Sequence, residues 1–114
     1  MVKLESLKKS YQFKKTLKEK KVHSDYFSIF ATKNFFKPKV KSNLLISFVM
    51  KKKIGNAVKR NKIRRRLKNM VNDAIKKISL NFNYSYLVIA KSTMLNTEYT
   101  IIKETLFKDL VRMR

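Results

Sequence analysis

Between Lys51 and Lys68 the chain reads KKKIGNAVKRNKIRRRLK, a stretch with ten Lys or Arg, no acid and the only glycine of the sequence. The apolar run from Leu44 to Met50 leads straight into it. That order leaves few architectures open. A buried central strand must turn near Gly55 and pass into a helix that keeps one side in the core and the other heavily charged in solvent.

The helix is predicted over residues 57–78, where Ile63, Leu67, Met70, Val71, Ala74 and Ile78 recur at spacings of three and four and form one buried stripe. At 100° per residue, Asn61, Lys62, Arg65, Lys68 and Asn72 point away from that stripe, with Arg64 and Arg66 on its flanks. Arg60 falls near the buried side. In the first turn, a long side chain there extends past the edge of the core with its stem packed and its charge wet. The first turn also presents free backbone N–H groups and the positive dipole end, so Asn56, Ala57 and Val58 are positioned to hold a phosphate.

Lysine abundance alone says little, because a chain rich in Lys, Asn, Ile and Phe can reflect biased coding. Arginine is the better witness. Only six occur, and four of them, Arg60, Arg64, Arg65 and Arg66, lie within seven residues. A guanidinium offers forked donors to phosphate oxygens and stacks on bases, whereas an ammonium is a mobile point charge. The absence of acids, the arginine clustering and the Gly55-Asn56 approach all argue against a merely solvated basic face.

At 114 residues the chain is expected to form one domain, 1–114, with a single core. Eight Phe and five Tyr exclude a disordered basic tail. A formal net charge of +22 opposes compaction and calls for a polyanionic partner. Membrane lipid is disfavoured as that partner, since no apolar run reaches about eighteen residues. Residues 1–20 also lack the apolar core of a signal peptide, and there is no cysteine, so a reducing, cytoplasmic location is expected.

In chain order, Ser10 is a candidate N-cap for a short helix bearing Phe13 and Leu17, both read first as core residues. Residues 26–32 alternate as a strand. Phe27, Ile29 and Ala31 share one face; Tyr26, Ser28, Phe30 and Thr32 share the other. Aromatics on that more polar face suit either a helix packed over it or a base-stacking platform. A loop at 33–43 holds the only proline, and Leu44–Met50 is the buried strand. One more short strand is considered near 51–55. After the long helix, Asn81 and Asn83 mark a turn and residues 86–90 form another apolar strand. Thr97-Glu98 opens a last helix with a stripe of Tyr99, Ile102, Leu106, Leu110 and Met113.

The run Lys52-Lys53-Ile54-Gly55-Asn56-Ala57-Val58-Lys59-Arg60-Asn61-Lys62-Ile63-Arg64-Arg65 closely resembles the signature of the bacterial ribonuclease P protein subunit, K-K-hydrophobic-G-N-A-V-x-R-N-R-I-K-R. The likeness extends along nearly the whole chain. Leu7-Lys8-Lys9 with Phe13 is similar to the family's opening helix, Phe27 to Phe30 to its first strand, and Tyr86 to Lys91 to its Y-h-h-h-A-R-K strand. Three departures stand out: Lys62 replaces a usual arginine, Lys51 a common serine, and Lys18-Glu19-Lys20-Lys21 lacks the usual glycine after the first helix.

The resemblance implies an α+β fold, a two-layer α/β sandwich with a four-stranded mixed sheet and three helices in the rough order α-β-β-(β)-α-β-α. It implies the protein subunit of an endoribonuclease that removes the 5′ leader of precursor tRNA. On the same resemblance, the ribonuclease P RNA and its Mg²⁺ ions, held mainly by RNA, would carry out the cleavage, with one protein per catalytic RNA. Carried over to this sequence, Lys52, Lys53, Asn56, Arg60, Asn61, Lys62, Arg64, Arg65 and Lys68 would face the catalytic RNA. Phe13, Leu17 and Phe30 would line a cleft for the leader.

The residues independently lack the means for autonomous hydrolysis. There is one histidine, His23, and the seven acids are scattered without paired-carboxylate or metal-cage spacing. His23 is read as a surface residue. Charge and aromatics alone would equally serve a structural RNA-binding protein such as a ribosomal protein; the signature separates the two. A nucleoid DNA-binding role finds no helix-turn-helix spacing to support it.

Overall fold

The computed structural model describes residues 4–5, 14–18, 20–33, 44–78 and 84–113. Five strands form one sheet: β1 (Leu4–Glu5), β2 (Lys20–His23), β3 (Phe27–Lys33), β4 (Leu44–Val49) and β5 (Tyr84–Ala90), in the spatial order β1-β4-β5-β3-β2. The pairs β1/β4 and β4/β5 are parallel, β3/β5 and β2/β3 antiparallel. Two long helices, α1 (Ala57–Lys77) and α2 (Tyr99–Arg112), accompany it, and residues 14–16 are also helical. The expected α+β class with a mixed sheet and three helices is therefore what forms, with four strands of four residues or more and a two-residue edge strand beside them.

Alternation divides β3 as its side chains predict. Phe27, Ile29 and Ala31 join Leu44, Ile46, Tyr86, Val88 and Ala90 in the main core. Ile63, Leu67, Met70, Val71 and Ala74 of α1 and Ile102, Leu106 and Leu110 of α2 complete it. Five of the six predicted stripe residues of α1 are buried; Ile78 is partly buried and caps the helix. The opposite sheet face pairs Phe30 with Leu87, Leu87 with Ser47, and Leu45 with Ser85. These residues are buried as well, but the main core cluster does not include them.

Two local expectations change. The extra strand considered near 51–55 is instead a 3-10 turn, Lys52–Ile54, because Ile54 alone dips into the core while Lys51, Lys52 and Lys53 stay exposed. Two strands form where none is expected: the two-residue β1, and β2 at Lys20–His23, which begins within the basic segment after the first helix. Leu17, read first as a core residue, is 39% exposed, and its neighbour Thr16 is the buried one. Phe13, Ser10, most of the loop at 33–43 and the turn residues Asn81 and Asn83 lie outside the described residues. No described helix is long and apolar enough to cross a membrane.

The two helices are tied across their exposed edges. Lys103 Nζ lies 2.7 Å from Asp73 Oδ2, and the same ammonium sits 5.7 Å from the Phe107 ring centroid and 6.0 Å from that of Tyr99.

Candidate nucleic-acid interface

The interface begins where β4 hands the chain to α1. Met50 and Ile54 are buried and anchor the 3-10 turn, so the intervening lysines are forced outward. Gly55 follows with φ 154° and ψ −165°, a conformation in which a Cβ strains the backbone. Asn56 then caps the helix, its Oδ1 accepting the Lys59 N–H at 3.0 Å. That bond takes one of the free amide groups of the first turn, leaving those of Ala57 and Val58 as candidates for an anion.

Beyond the cap, the outer side of α1 is a sheet of cations. Lys52, Lys53, Asn56, Asn61, Lys62, Arg64, Arg65 and Lys68 are all exposed. Arg60 is half-buried, as the wheel predicts, and its Nε is enclosed without a protein partner. The ion pair of Lys103 with Asp73 involves none of the four clustered arginines, and no described carboxylate pairs with them. An enclosed N–H without a partner carries a desolvation cost, so Arg60 has its stem and Nε packed at the edge of the core, as the helical wheel places it.

A second surface adjoins the first. A cavity of about 470 Å³ is lined by Ser28, Phe30 and Ile89 of the second sheet face and by Lys51, Lys53 and Lys91. Its floor is apolar and its rim cationic. Phe30 is only 8% exposed, and His23 stands edge-on to it with ring centroids 5.8 Å apart, held by a 2.7 Å hydrogen bond between His23 Nδ1 and Ser28 Oγ. The aromatic is thus held from the side in one orientation. The cavity end is fixed by bonds to the β2–β3 turn: the Lys91 backbone N–H donates to Tyr26 O at 2.9 Å, Lys91 Nζ to Ser24 O at 2.5 Å, and Thr93 Oγ1 to Asp25 O at 2.5 Å.

Of the three residues expected to form a leader cleft, Phe30 lines this cavity, Leu17 is exposed and is not among its lining residues, and Phe13 lies outside the described residues. Lys51, Lys91, Ser28 and Ile89 were not anticipated. Lys91 ends the Tyr86 to Lys91 strand motif, which is the readable signal for it, and Lys51 opens the basic stretch that leads into α1. Lys53, assigned to the arginine-helix surface, lines the cavity too, so the two surfaces share an edge.

No three His, Asp or Glu among the described residues come together as a metal site. Asp109 is buried in α2, 4% exposed, with Oδ2 lacking a partner. Burial pushes its carboxyl pKa up, partly offset by the nearby Arg112 charge. It is not among the residues lining the cavity and belongs to the scaffold.

Comparison with known proteins gives the family. A family model described as Ribonuclease P matches residues 1–114. A ribonuclease P protein component from Mesoplasma florum is 32% identical over 107 residues, 93% of this chain and 92% of that protein. One from Carboxydothermus hydrogenoformans is 36% identical over 87 residues, 75% and 69% of the two chains. The ribonuclease P protein structure from Thermotoga maritima superposes with a TM-score of 0.77 at 22% identity, covering 96% of this chain and 98% of that one. The chain belongs to the ribonuclease P protein family.

Proposed function

We propose that this chain, as the protein subunit of ribonuclease P, grips two RNAs with two adjoining surfaces. The outer side of α1 docks on the ribonuclease P RNA, and the cavity beside Phe30 receives the 5′ leader of precursor tRNA. The observation that carries the reading is the pairing of an arginine face that has no carboxylate partner among the described residues with a cavity that brings Lys51, Lys53 and Lys91 together with Phe30 and Ile89.

The two surfaces suit different chemistries. On α1, cations neutralise phosphates of a folded RNA and release counterions, which makes binding fall steeply with salt. The cavity suits a flexible single strand: lysines 51, 53 and 91 attract its backbone, and an aromatic floor stacks a base without selecting its identity, worth roughly 1–3 kcal/mol. A leader held this way raises affinity for precursor over mature tRNA, so product leaves more readily than substrate. Bond cleavage belongs to the RNA. Mg²⁺ is held mainly by RNA in this reading, and no step is assigned to a protein-held ion. The complex works in the cytoplasm with one protein per catalytic RNA.

The test is a set of precursor tRNAs with leaders of increasing length. At low Mg²⁺, the purified chain alone is expected to cleave none of them. With the cognate RNA present, the protein-dependent gain in affinity is expected to appear only once the leader is long enough to enter the cavity. A gain independent of leader length would refute the leader site.

A further inference from the structure

Val58, the second residue of α1, is 74% exposed, the highest value among the large apolar side chains described. A lone surface valine is ordinary in a globular protein. This one differs in its surroundings. It shares a shallow hollow of about 360 Å³ with Asn61, Arg64 and Arg65, three, six and seven residues further along the same helix. It is the only apolar side chain lining that hollow, and neither guanidinium has a carboxylate partner among the described residues.

Phosphate has no apolar surface and gains nothing from a valine in its path. A nucleobase has an apolar π-face and a polar edge, and the hollow offers a complement to each. Val58 supplies van der Waals contact, the planar guanidiniums of Arg64 and Arg65 supply stacking surfaces, and the Asn61 amide has one acceptor and two donors for a base edge. The uncompensated positive charge favours a ligand borne on a polyanion.

We propose that the hollow formed by Val58, Asn61, Arg64 and Arg65 receives a single unstacked nucleobase of the RNA that docks on α1. The inference rests on reading α1 as the surface for the catalytic RNA, and it adds to that phosphate-binding face a base-binding site that fixes register. Phosphate contacts position a protein on RNA; a seated base locks where along the RNA the helix lies.

The experiment measures affinity of the full-length protein for the cognate catalytic RNA across a salt titration, for wild type, Val58→Ala, Val58→Lys and Arg65→Ala. Because Val58 is exposed, both of its variants are expected to unfold at the wild-type midpoint. Val58→Ala is expected to lose about fivefold in affinity with an unchanged salt slope, the signature of a lost base contact. Val58→Lys is expected to lose at least as much even though it adds a cation, and one base of the RNA that wild type shields from edge-modifying reagents becomes reactive. If Val58→Lys binds as tightly as wild type or tighter, or Val58→Ala binds unchanged, the hollow holds no base and the inference is overturned. If Arg65→Ala also leaves affinity and salt slope untouched, the docking surface itself is misassigned and the base site falls with it.

Discussion

The outer side of α1 and the cavity beside Phe30 are both cationic, yet they are built oppositely. The helix presents arginines on a convex, exposed rod anchored from beneath by Ile63, Leu67 and Met70. The cavity sets lysines around a concave floor contributed by three separate segments, 28–30, 51–54 and 89–93. Forked, rigid donors suit a partner whose phosphates are already fixed in space, whereas the exposed ammonium groups of Lys51 and Lys53 suit a strand that must be gathered in, with Lys91 tied to Ser24 O at the cavity end. The difference teaches that net charge is the least informative property of such a surface. Side-chain type and local curvature separate a docking face from a gripping one.

The change expected to be largest lies at the seam between them. Gly55→Ala places a Cβ at φ 154°, which costs about 1–3 kcal/mol of backbone strain. It is expected to lower the unfolding midpoint and to weaken both RNA contacts together. Weakening of only one would mean the seam is not shared.

Next is Phe30→Leu. Because Phe30 is largely buried, truncation to alanine would confuse folding with binding, whereas leucine keeps the site filled. Precursor affinity is expected to drop about tenfold through lost stacking, with little change for the catalytic RNA in direct binding measurements. Arg65→Ala should do the reverse, costing about fivefold against the catalytic RNA and reducing the magnitude of the salt slope by roughly 0.7–0.9.

A scaffold change sharpens the comparison by leaving both surfaces alone. Asp109 has its folded pKa raised by burial, so the folded state takes up a proton more readily than the unfolded one. Stability is highest below the ordinary carboxylate range and is lost as pH rises through the folded pKa. Asp109→Asn is expected to gain about 1 kcal/mol at neutral pH, with the advantage shrinking in acid, and to alter neither RNA affinity. The smallest effect belongs to the α1–α2 tie. The hydrogen bond from Lys103 holds the Asp73 pKa below its usual value, so that contribution is present above the unfolded pKa and fades as pH falls through the folded one. Thermal midpoints of Asp73→Asn should trail wild type slightly at neutral pH and low salt and converge with it in acid.

Much of this was readable in the residues. The α1 stripe is long and strongly periodic, so its burial and the outward arginines followed from spacing alone, including the half-buried place of Arg60. The alternation in β3 likewise put Phe30 on the face opposite the main core. Strand β2 was not readable: Lys20-Lys21-Val22-His23 has one apolar residue, and its pairing with β3 is a backbone property that leaves no side-chain pattern. The cavity rim escaped for a related reason. Lys51 and Lys91 are forty residues apart in sequence and meet only because β4 and β5 run parallel and end together. Asp109 hid because it sits one residue from Leu110, at the edge of an otherwise apolar stripe. The family match settles what composition left open, the choice between a ribonuclease P subunit and a ribosomal protein.

The most direct test of the two-surface account compares holoenzymes assembled with wild-type, Phe30→Leu and Arg65→Ala protein, each at concentrations that saturate the catalytic RNA. The quantity is the ratio of affinities for precursor and mature tRNA. The account predicts that Phe30→Leu collapses the ratio toward one while Arg65→Ala, once bound, leaves it at the wild-type value. An equal fall in both variants, or an unchanged ratio in Phe30→Leu, would contradict it.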